Sequence, residues 1–312
     1  MNPLEPTKLL EAVDARTKLA GSNKMELLLF SLGTHETFGI NVFKVREVSP
    51  TPAITKTPYM PNGVEGVISL RGSIIPVISL AQFIQLEGAP EGIGETLIVT
   101  EFSRHTQGFL VQDVDRIIRI DWDKVKPPEN NLAGQDGMIT AITELDDGRL
   151  VSILDVERVL VEVLGEKIMP TLPKLESGKD ATVFFADDSS VARKEITSVL
   201  ENLGVKYIQS NDGREAWDKL ANMANRSAAE RTPLKKQIQL ILVDAEMPEM
   251  DGYVLTKNIK SDSRFAGIPV IMHSSLSSEA NRTMGQQVGV DAYVAKFDPS
   301  VLADTVLSFL RR

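Results

Sequence analysis

The chain has 312 residues, enough for two domains, with a formal net charge of −9, 42% hydrophobic and 25% charged residues. That acidic balance argues against nonspecific nucleic-acid binding, and zero Cys with only three His argues against a thiolate or imidazole metal site. Met1–Leu10 carries Pro3, Glu5 and Pro6 and no apolar centre, so no signal peptide is expected, and the longest apolar region, Val64–Ile84, is broken by Glu65, Arg71 and Pro76. A cytoplasmic protein without direct membrane insertion is expected.

In chain order, Leu9, Leu10, Val13 and Leu19 lie at helical spacing and predict a short amphipathic helix over 1–21. The texture then changes to strands. Met25–Leu32 and Thr37–Val42 form a hairpin around Gly33-Thr34-His35-Glu36, and Val64–Leu70, Ser73–Ser79, Thr96–Phe102, Thr106–Val114, Met138–Glu144 and Arg149–Leu154 follow. Short strands with regular turns predict an all-β barrel or sandwich. This half shows no catalytic constellation. Asp113, Asp115, Asp121 and Asp123 fall at expected strand ends and read as solvated surface, and His35 and His105 sit in polar loops.

One stretch of this half, Pro61–Leu80, puts two apolar strands on either side of Leu70-Arg71-Gly72. Gly72 suits a tight turn. Arg71 at its tip is either a solubilising charge or a contact residue of a recognition surface. Here the chain resembles the CheW family of chemotaxis coupling domains, through Val64–Ile78, Phe38–Val48 and Ile153–Glu157; Ser69 departs from the Asn common before Leu-Arg-Gly. The resemblance implies two interlocked SH3-like barrels over 22–167, docking to chemoreceptors and to the CheA histidine kinase, with Arg71 on that surface.

Pro170, Pro173, Ser177 and Gly178 mark a linker over 168–179, and a second domain is expected over 180–312. Four short apolar runs there end on reactive side chains. Thr182–Ala186 ends on Asp187-Asp188, Leu240–Val243 on Asp244, Pro269–His273 on Ser274-Ser275, and Ala292–Ala295 on Lys296. Helical segments such as Ser190–Leu203 and Gly213–Leu220 alternate with them, while Met223–Lys236 reads as a polar loop extension. The alternation predicts an α/β doubly wound parallel sheet, with all four strand ends on the edge where such sheets bind ligands.

The chemistry of that edge follows from its residue types. Asp187, Asp188 and Asp244 repel one another unless a cation or a proton intervenes. All-oxygen ligands that leave room for water and phosphate suit Mg²⁺. Asp244 can then attack phosphorus, Ser274 can hydrogen-bond a phosphoryl oxygen, and Lys296 can pair with it as a point charge. Each residue also has a plainer reading: Asp244 as a turn residue, Ser274 as a turn or helix cap, Tyr293 as a strand residue packed on a helix, Lys296 as a solvated loop lysine, and His273 as a packed core histidine.

In order and spacing these residues, with the Met-Pro-x-Met-Asp-Gly turn after Asp244, resemble a response-regulator receiver domain of flavodoxin-like fold. The resemblance implies Asp244 as phosphoacceptor and Mg²⁺ held by Asp187, Asp188, Asp244 and the backbone carbonyl of Glu246. It also implies that phosphorylation draws Ser274 toward the phosphate and lets Tyr293 turn inward. Phe297 departs from the proline usual after the lysine, which predicts a different loop there. Glu246 and Leu276 flank the route of a hydrolysing water, and neither activates it well, which predicts a long-lived phosphoryl group.

A coupling domain followed by a receiver is similar to CheV-type chemotaxis proteins. The implied function is an adaptor between methyl-accepting chemotaxis proteins and CheA, modulated by phosphorylation of Asp244 and associated with receptor arrays at the membrane. It is not an enzyme acting on a separate substrate, beyond its own phosphotransfer and slow dephosphorylation. The alternative is a phosphate sink with little effect on coupling. An aspartate-dependent phosphatase fits poorly, because Asp244-Ala245-Glu246 lacks the second Asp and the first half goes unexplained.

Overall fold

The computed structural model describes residues 24–90, 94–102, 105–128, 138–164, 172, 181–275 and 279–311. The helix expected over 1–21 and, apart from Leu172, the linker over 168–179 lie outside the described residues, as does Leu276. The chain divides into two compact units, one running to Glu166 and one from Lys167.

Among the described residues, the first unit contains ten strands in two five-stranded sheets. One has the order β8(Asp113–Asp121), β1(Lys24–Ser31), β2(Thr37–Asn41), β10(Leu150–Leu154), β9(Ile139–Glu144), and the other β3(Val45–Pro50), β6(Thr96–Phe102), β7(His105–Val111), β5(Ser73–Ser79), β4(Val64–Leu70). The second sheet is therefore inserted into the first, between β2 and β8. Both close in the same way. The segment after one edge strand crosses to the opposite edge strand, Lys126 pairing with Ile142 and Thr55 with Val67, each through two backbone hydrogen bonds of 2.8–2.9 Å. Closure removes most of the exposed edge that open sheets carry.

Strands of both barrels are buried on two faces. Met25, Leu27 and Leu29 point into the first barrel with Trp122, Val125 and Val151. Leu97, Val99 and Leu110 point into the second with Ile75 and Val77. The intervening residues Leu28, Phe30, Ile98 and Phe109 meet in a shared core covered by helix α2(Val156–Leu164), which follows the short α1(Leu80–Phe83). Asp155 caps α2, its Oδ1 accepting from the amides of Glu157 and Arg158 at 3.1 and 3.0 Å. Lys44 pairs with the buried Glu157 at 3.0 Å, joining the β2–β3 corner to the helix. The Phe38–Val48 and Ile153–Glu157 segments thus meet in one partly buried contact.

Three readings need correction. The strand expected over Thr106–Val114 ends at Val111, and Val114 belongs to β8. Asp113, Asp115 and Asp121 are therefore members of one long strand, not the ends of several, while Asp123 lies in a short 3₁₀ turn. β3 was not expected at all, because an edge strand reading Val-Arg-Glu-Val-Ser-Pro lacks a continuous apolar face.

The second unit has a wholly parallel sheet of order β12(Lys206–Ser210), β11(Thr182–Ala186), β13(Leu240–Val243), β14(Val270–Ser274), β15(Ala292–Ala295). Its helices are α3(Ser190–Leu203), α4(Gly213–Ala229), α5(Gly252–Ser261), α6(Glu279–Val288) and α7(Pro299–Leu310). One core lies between the sheet and α3 and α7, the other between the sheet and α4 and α5. The polar loop expected over Met223–Lys236 is helical as far as Ala229. Leu220, Ala224 and Ser227 repeat at i, i+4 and i+7 on the buried face, and only Leu234–Lys236 forms a separate 3₁₀ turn.

Gly66 sits at the closure of the second barrel, where a Cβ would lie 2.4 Å from Ile54 Cγ2 and 2.5 Å from the Thr55 carbonyl oxygen. Gly66→Ala should force the closing bridge apart and destabilise this unit by about 1–3 kcal/mol. Urea unfolding followed through Trp122, in a Trp217→Phe background, measures it; an unchanged midpoint would show that closure at Thr55 contributes nothing.

Candidate functional site

The carboxyl edge of the parallel sheet gathers the acids. β11 lies beside β13, so Asp187-Asp188 and Asp244 emerge from adjacent strand ends, with Asp244 held by its amide donating to the Ala186 carbonyl at 2.9 Å. Asp187, Asp188 and Asp244 can each offer a carboxylate oxygen within 4.8 Å of the others. Asp187 and Asp244 are buried and Asp188 half-buried. Lys296 reaches them from the end of β15. Its Nζ donates to Asp187 Oδ1 at 3.1 Å and to Asp244 Oδ2 at 2.9 Å, with a side chain only 1% exposed. The lysine is a buried counter-ion, not a solvated loop residue. Removing one charge of such a cluster leaves the others buried and uncompensated.

The turn after Asp244 is explained residue by residue. Met247 and Met250 enter the core beneath α4 and α5. Glu249 takes a left-handed φ of 63° to make the bend. Asp251 caps α5, its Oδ1 accepting from the Val254 amide at 2.7 Å. Gly252 passes so close to the backbone of Asp244 that a Cβ would fall 1.8 Å from the Asp244 carbonyl oxygen. Any side chain there would displace the strand end that carries Asp244.

Ser274, fully buried, ends β14 next to β15, and its carbonyl accepts from the Lys296 amide at 3.0 Å. Tyr293 is already mostly buried, and burial pushes its phenol up to about 12, moderated by hydrogen bonding to Ser274 and raised further by the charge of Asp244. Glu246 is buried. Phe297 takes φ of 62°, left-handed for a non-glycine residue, and packs its ring inward at 8% exposure. The departure from proline is thus met by a strained bend with a buried aromatic, followed by Asp298 capping α7 over Pro299.

In the other unit, Arg71 and Gly72 form the two-residue turn between β4 and β5 with φ of 50° and 85°, the left-handed pair of a type I′ hairpin. The Arg71 guanidinium donates to Glu47 on β3, while two-thirds of its side chain stays exposed.

Three site neighbours carry no signal in the sequence. Arg193, on α3, donates to the carbonyls of Asp187 and Asp188 at 2.9 and 2.8 Å, clamping the backbone of the acidic pair. Tyr253, on α5, buries its phenol near Tyr293 and Glu246, which raises its pKa. Arg282, on α6, stands over the Tyr293 ring. All three are helix residues whose relevance arises only from how the helices pack on the sheet. Among the described residues no helix is long and apolar enough to cross a membrane.

Comparison with known proteins accords with both halves. The chain matches the family model of the CheW-like domain over residues 26–163 and that of the response regulator receiver domain over residues 183–307. This combination defines a two-component signalling protein of chemotaxis. Chemotaxis protein CheV3 of Helicobacter pylori is 33% identical over 278 residues, covering 88% of each chain. Chemotaxis protein CheV1 of the same species is 30% identical over 325 residues, covering 96% of this chain and 98% of its own. The chain belongs to the CheV family of chemotaxis proteins, and a coupling adaptor is the role this architecture supports.

Burial lifts the Asp251 carboxyl to about 6, against the lowering effect of the Val254 and Tyr253 amides. A raised acid favours the folded state fully below its ordinary value of 3.8 and loses that contribution as pH rises through about 6. Asp251→Asn keeps the capping oxygen and removes the titration. Its stability relative to wild type should therefore rise by roughly 2 kcal/mol between pH 4 and pH 7. Chemical unfolding of both proteins across that range, read at Trp217, tests this; a constant difference would refute it.

Proposed function

We propose that this protein couples chemoreceptors, the methyl-accepting chemotaxis proteins, to a CheA-type histidine kinase at receptor arrays on the cytoplasmic face of the membrane, and that phosphorylation of Asp244 modulates the coupling. The observation that carries the reading is the convergence of Asp187, Asp188 and Asp244 on the buried ammonium of Lys296 at the carboxyl edge of a parallel sheet. The all-oxygen donor set fits Mg²⁺. Asp187, Asp188, Asp244 and the Glu246 carbonyl would hold it, and when bound it would neutralise charge on the transferring phosphoryl oxygens.

The chain's own residues do the rest. A carboxylate oxygen of Asp244 attacks the phosphorus of a phosphohistidine; the O–P bond forms as the P–N bond breaks, and the imidazole leaves with a proton from solvent. Lys296, already at hydrogen-bond distance from Asp244, follows the charge onto the phosphoryl group. Ser274 closes on a phosphoryl oxygen, and Tyr293, beside it, responds. Arg193 keeps the acidic pair in place throughout. On the coupling unit, Arg71 at the hairpin tip is the partner-contact residue, its Glu47 pairing exchangeable for a partner's carboxylate.

Transfer from a phosphorylated CheA-type kinase should label wild type in the presence of Mg²⁺ and leave Asp244→Asn unlabelled. Labelling of both proteins would mean another acceptor. In the same assay, with receptors present, Asp244→Asn should change kinase activity; a change only in phosphate on other acceptors would make the receiver a sink.

Once labelled, the wild type should keep its phosphoryl group for many minutes, since Glu246 is a poor activator of water in this position. A chase after removal of the kinase measures the lifetime, and decay within seconds would show an efficient hydrolytic group at the site.

A further inference from the structure

Residues in register on neighbouring parallel strands carry their side chains on the same face, so the pairings of the receiver sheet define rows across it. Ala186 is in register with Val243, and Val243 with Met272. One residue further on, Asp187, Asp244 and His273 follow one another across β11, β13 and β14. His273 is in turn in register with Val294 of β15. The face is fixed by the residues two positions earlier: Phe185, Leu242 and Ile271 all lie in the core beneath α3 and α7, as does Val294. His273 is therefore the next member of the row that holds the two buried acids, one strand spacing of about 5 Å from Asp244. It is 1% exposed.

Two features set His273 apart from an ordinary core histidine. Burying an imidazole costs free energy unless its N–H is paired, and an apolar residue would fill the same space without that cost. The core on this face is built of apolar side chains, and the other polar members of the row are Asp187 and Asp244. The second feature is the route of Lys296. Its ammonium starts from the end of β15 and reaches Asp244 Oδ2 at 2.9 Å, so its side chain crosses β14, the strand that carries His273. That bond holds one carboxylate oxygen. By itself it leaves the carboxylate plane free to turn about the contact, and a neighbour on the β14 side removes that freedom.

We propose that His273 is a positioning residue for Asp244: its imidazole closes the β14 side of the carboxylate and limits its rotation, so that Oδ1 stays aimed at an incoming phosphorus. The inference rests on the phosphorylation reading above and adds to it a residue that orients the acceptor. The transfer itself is unchanged: the Asp244 O–P bond forms as the donor's P–N bond breaks, and the nitrogen leaves with a proton from solvent. Phosphoryl transfer depends on alignment more than on any other contribution of the protein. A loosened carboxylate should therefore react more slowly without weakening the fold.

The test uses the full chain with phosphoramidate and Mg²⁺, so that no kinase surface is involved, and follows the phosphoryl adduct by intact-mass spectrometry. His273→Val should label about tenfold more slowly than wild type, less than the roughly hundredfold that an ångström of misplacement costs. Its urea midpoint should equal or exceed that of wild type, because an apolar side chain replaces a buried polar one. His273→Asn and His273→Gln place an amide N–H near the positions of Nδ1 and Nε2, and at least one of them should recover part of the rate. A His273→Val protein that labels as fast as wild type overturns the proposal. An equal loss of rate in all three variants overturns it too, since ring volume and not the polar group would then matter. So does a loss of rate that tracks a fall in the urea midpoint from variant to variant, which would mark a packing role. Wild type that takes up no phosphoryl group would instead defeat the phosphorylation reading, and this inference with it.

Discussion

The receiver unit is organised around an unfavourable arrangement made tolerable by one residue. Asp187 and Asp244 are carboxylates withdrawn from water on adjacent strands, with Asp188 at their side. Burial and mutual repulsion both oppose that arrangement. Lys296 answers both, because its ammonium lies between the two buried acids at 3.1 and 2.9 Å. The strand order makes this possible. β15 is two strands away from β13, with β14 between, so a long side chain such as that of Lys296 is needed to cross from its end to Asp244. The same ammonium that holds the acids together at rest is in position to follow a phosphoryl group. Folding and the proposed chemistry thus draw on a single contact.

The coupling unit solves a different problem. Two small barrels each have little interior, and neither could bury much surface alone. Here the second is inserted within the first, and strands of both turn their outer faces toward one shared core beneath α2. Capping by Asp155 and the partly buried Lys44–Glu157 pair fix that helix. Polar contacts reach the surface at the β4–β5 tip, where the left-handed turn projects Arg71 toward Glu47.

How much of this was legible depended on the kind of signal each residue gave. The strands β11, β13 and β15 announce themselves as apolar runs, and the side chain that ends each one is necessarily at the same sheet edge. Asp187, Asp188, Asp244, Ser274 and Lys296 could therefore be grouped from the sequence. β3 and β8 could not be read, because their charged side chains alternate irregularly with apolar ones on barrel walls that face two environments. Met223–Ala229 looked like a loop because Asn and Ser are poor helix formers in isolation; the buried Leu220, Ala224 and Ser227 override that preference. Arg193, Tyr253 and Arg282 gave no signal at all, since each is an ordinary helix residue until its helix is laid on the sheet.

The sequence by itself determined the two-part organisation, the parallel sheet of the second part and the reactive set at its edge. These follow from local apolar runs and from the rule that parallel strands end together. Tertiary structure alone decided the rest: the insertion of one barrel into the other, the closing bridges at Thr55 and Lys126, the inward Phe297, and the placing of Arg282 over Tyr293. Those features join residues far apart in the chain or depend on a close approach of backbones. No local pattern encodes such contacts, because their energy exists only once both partners have been brought together.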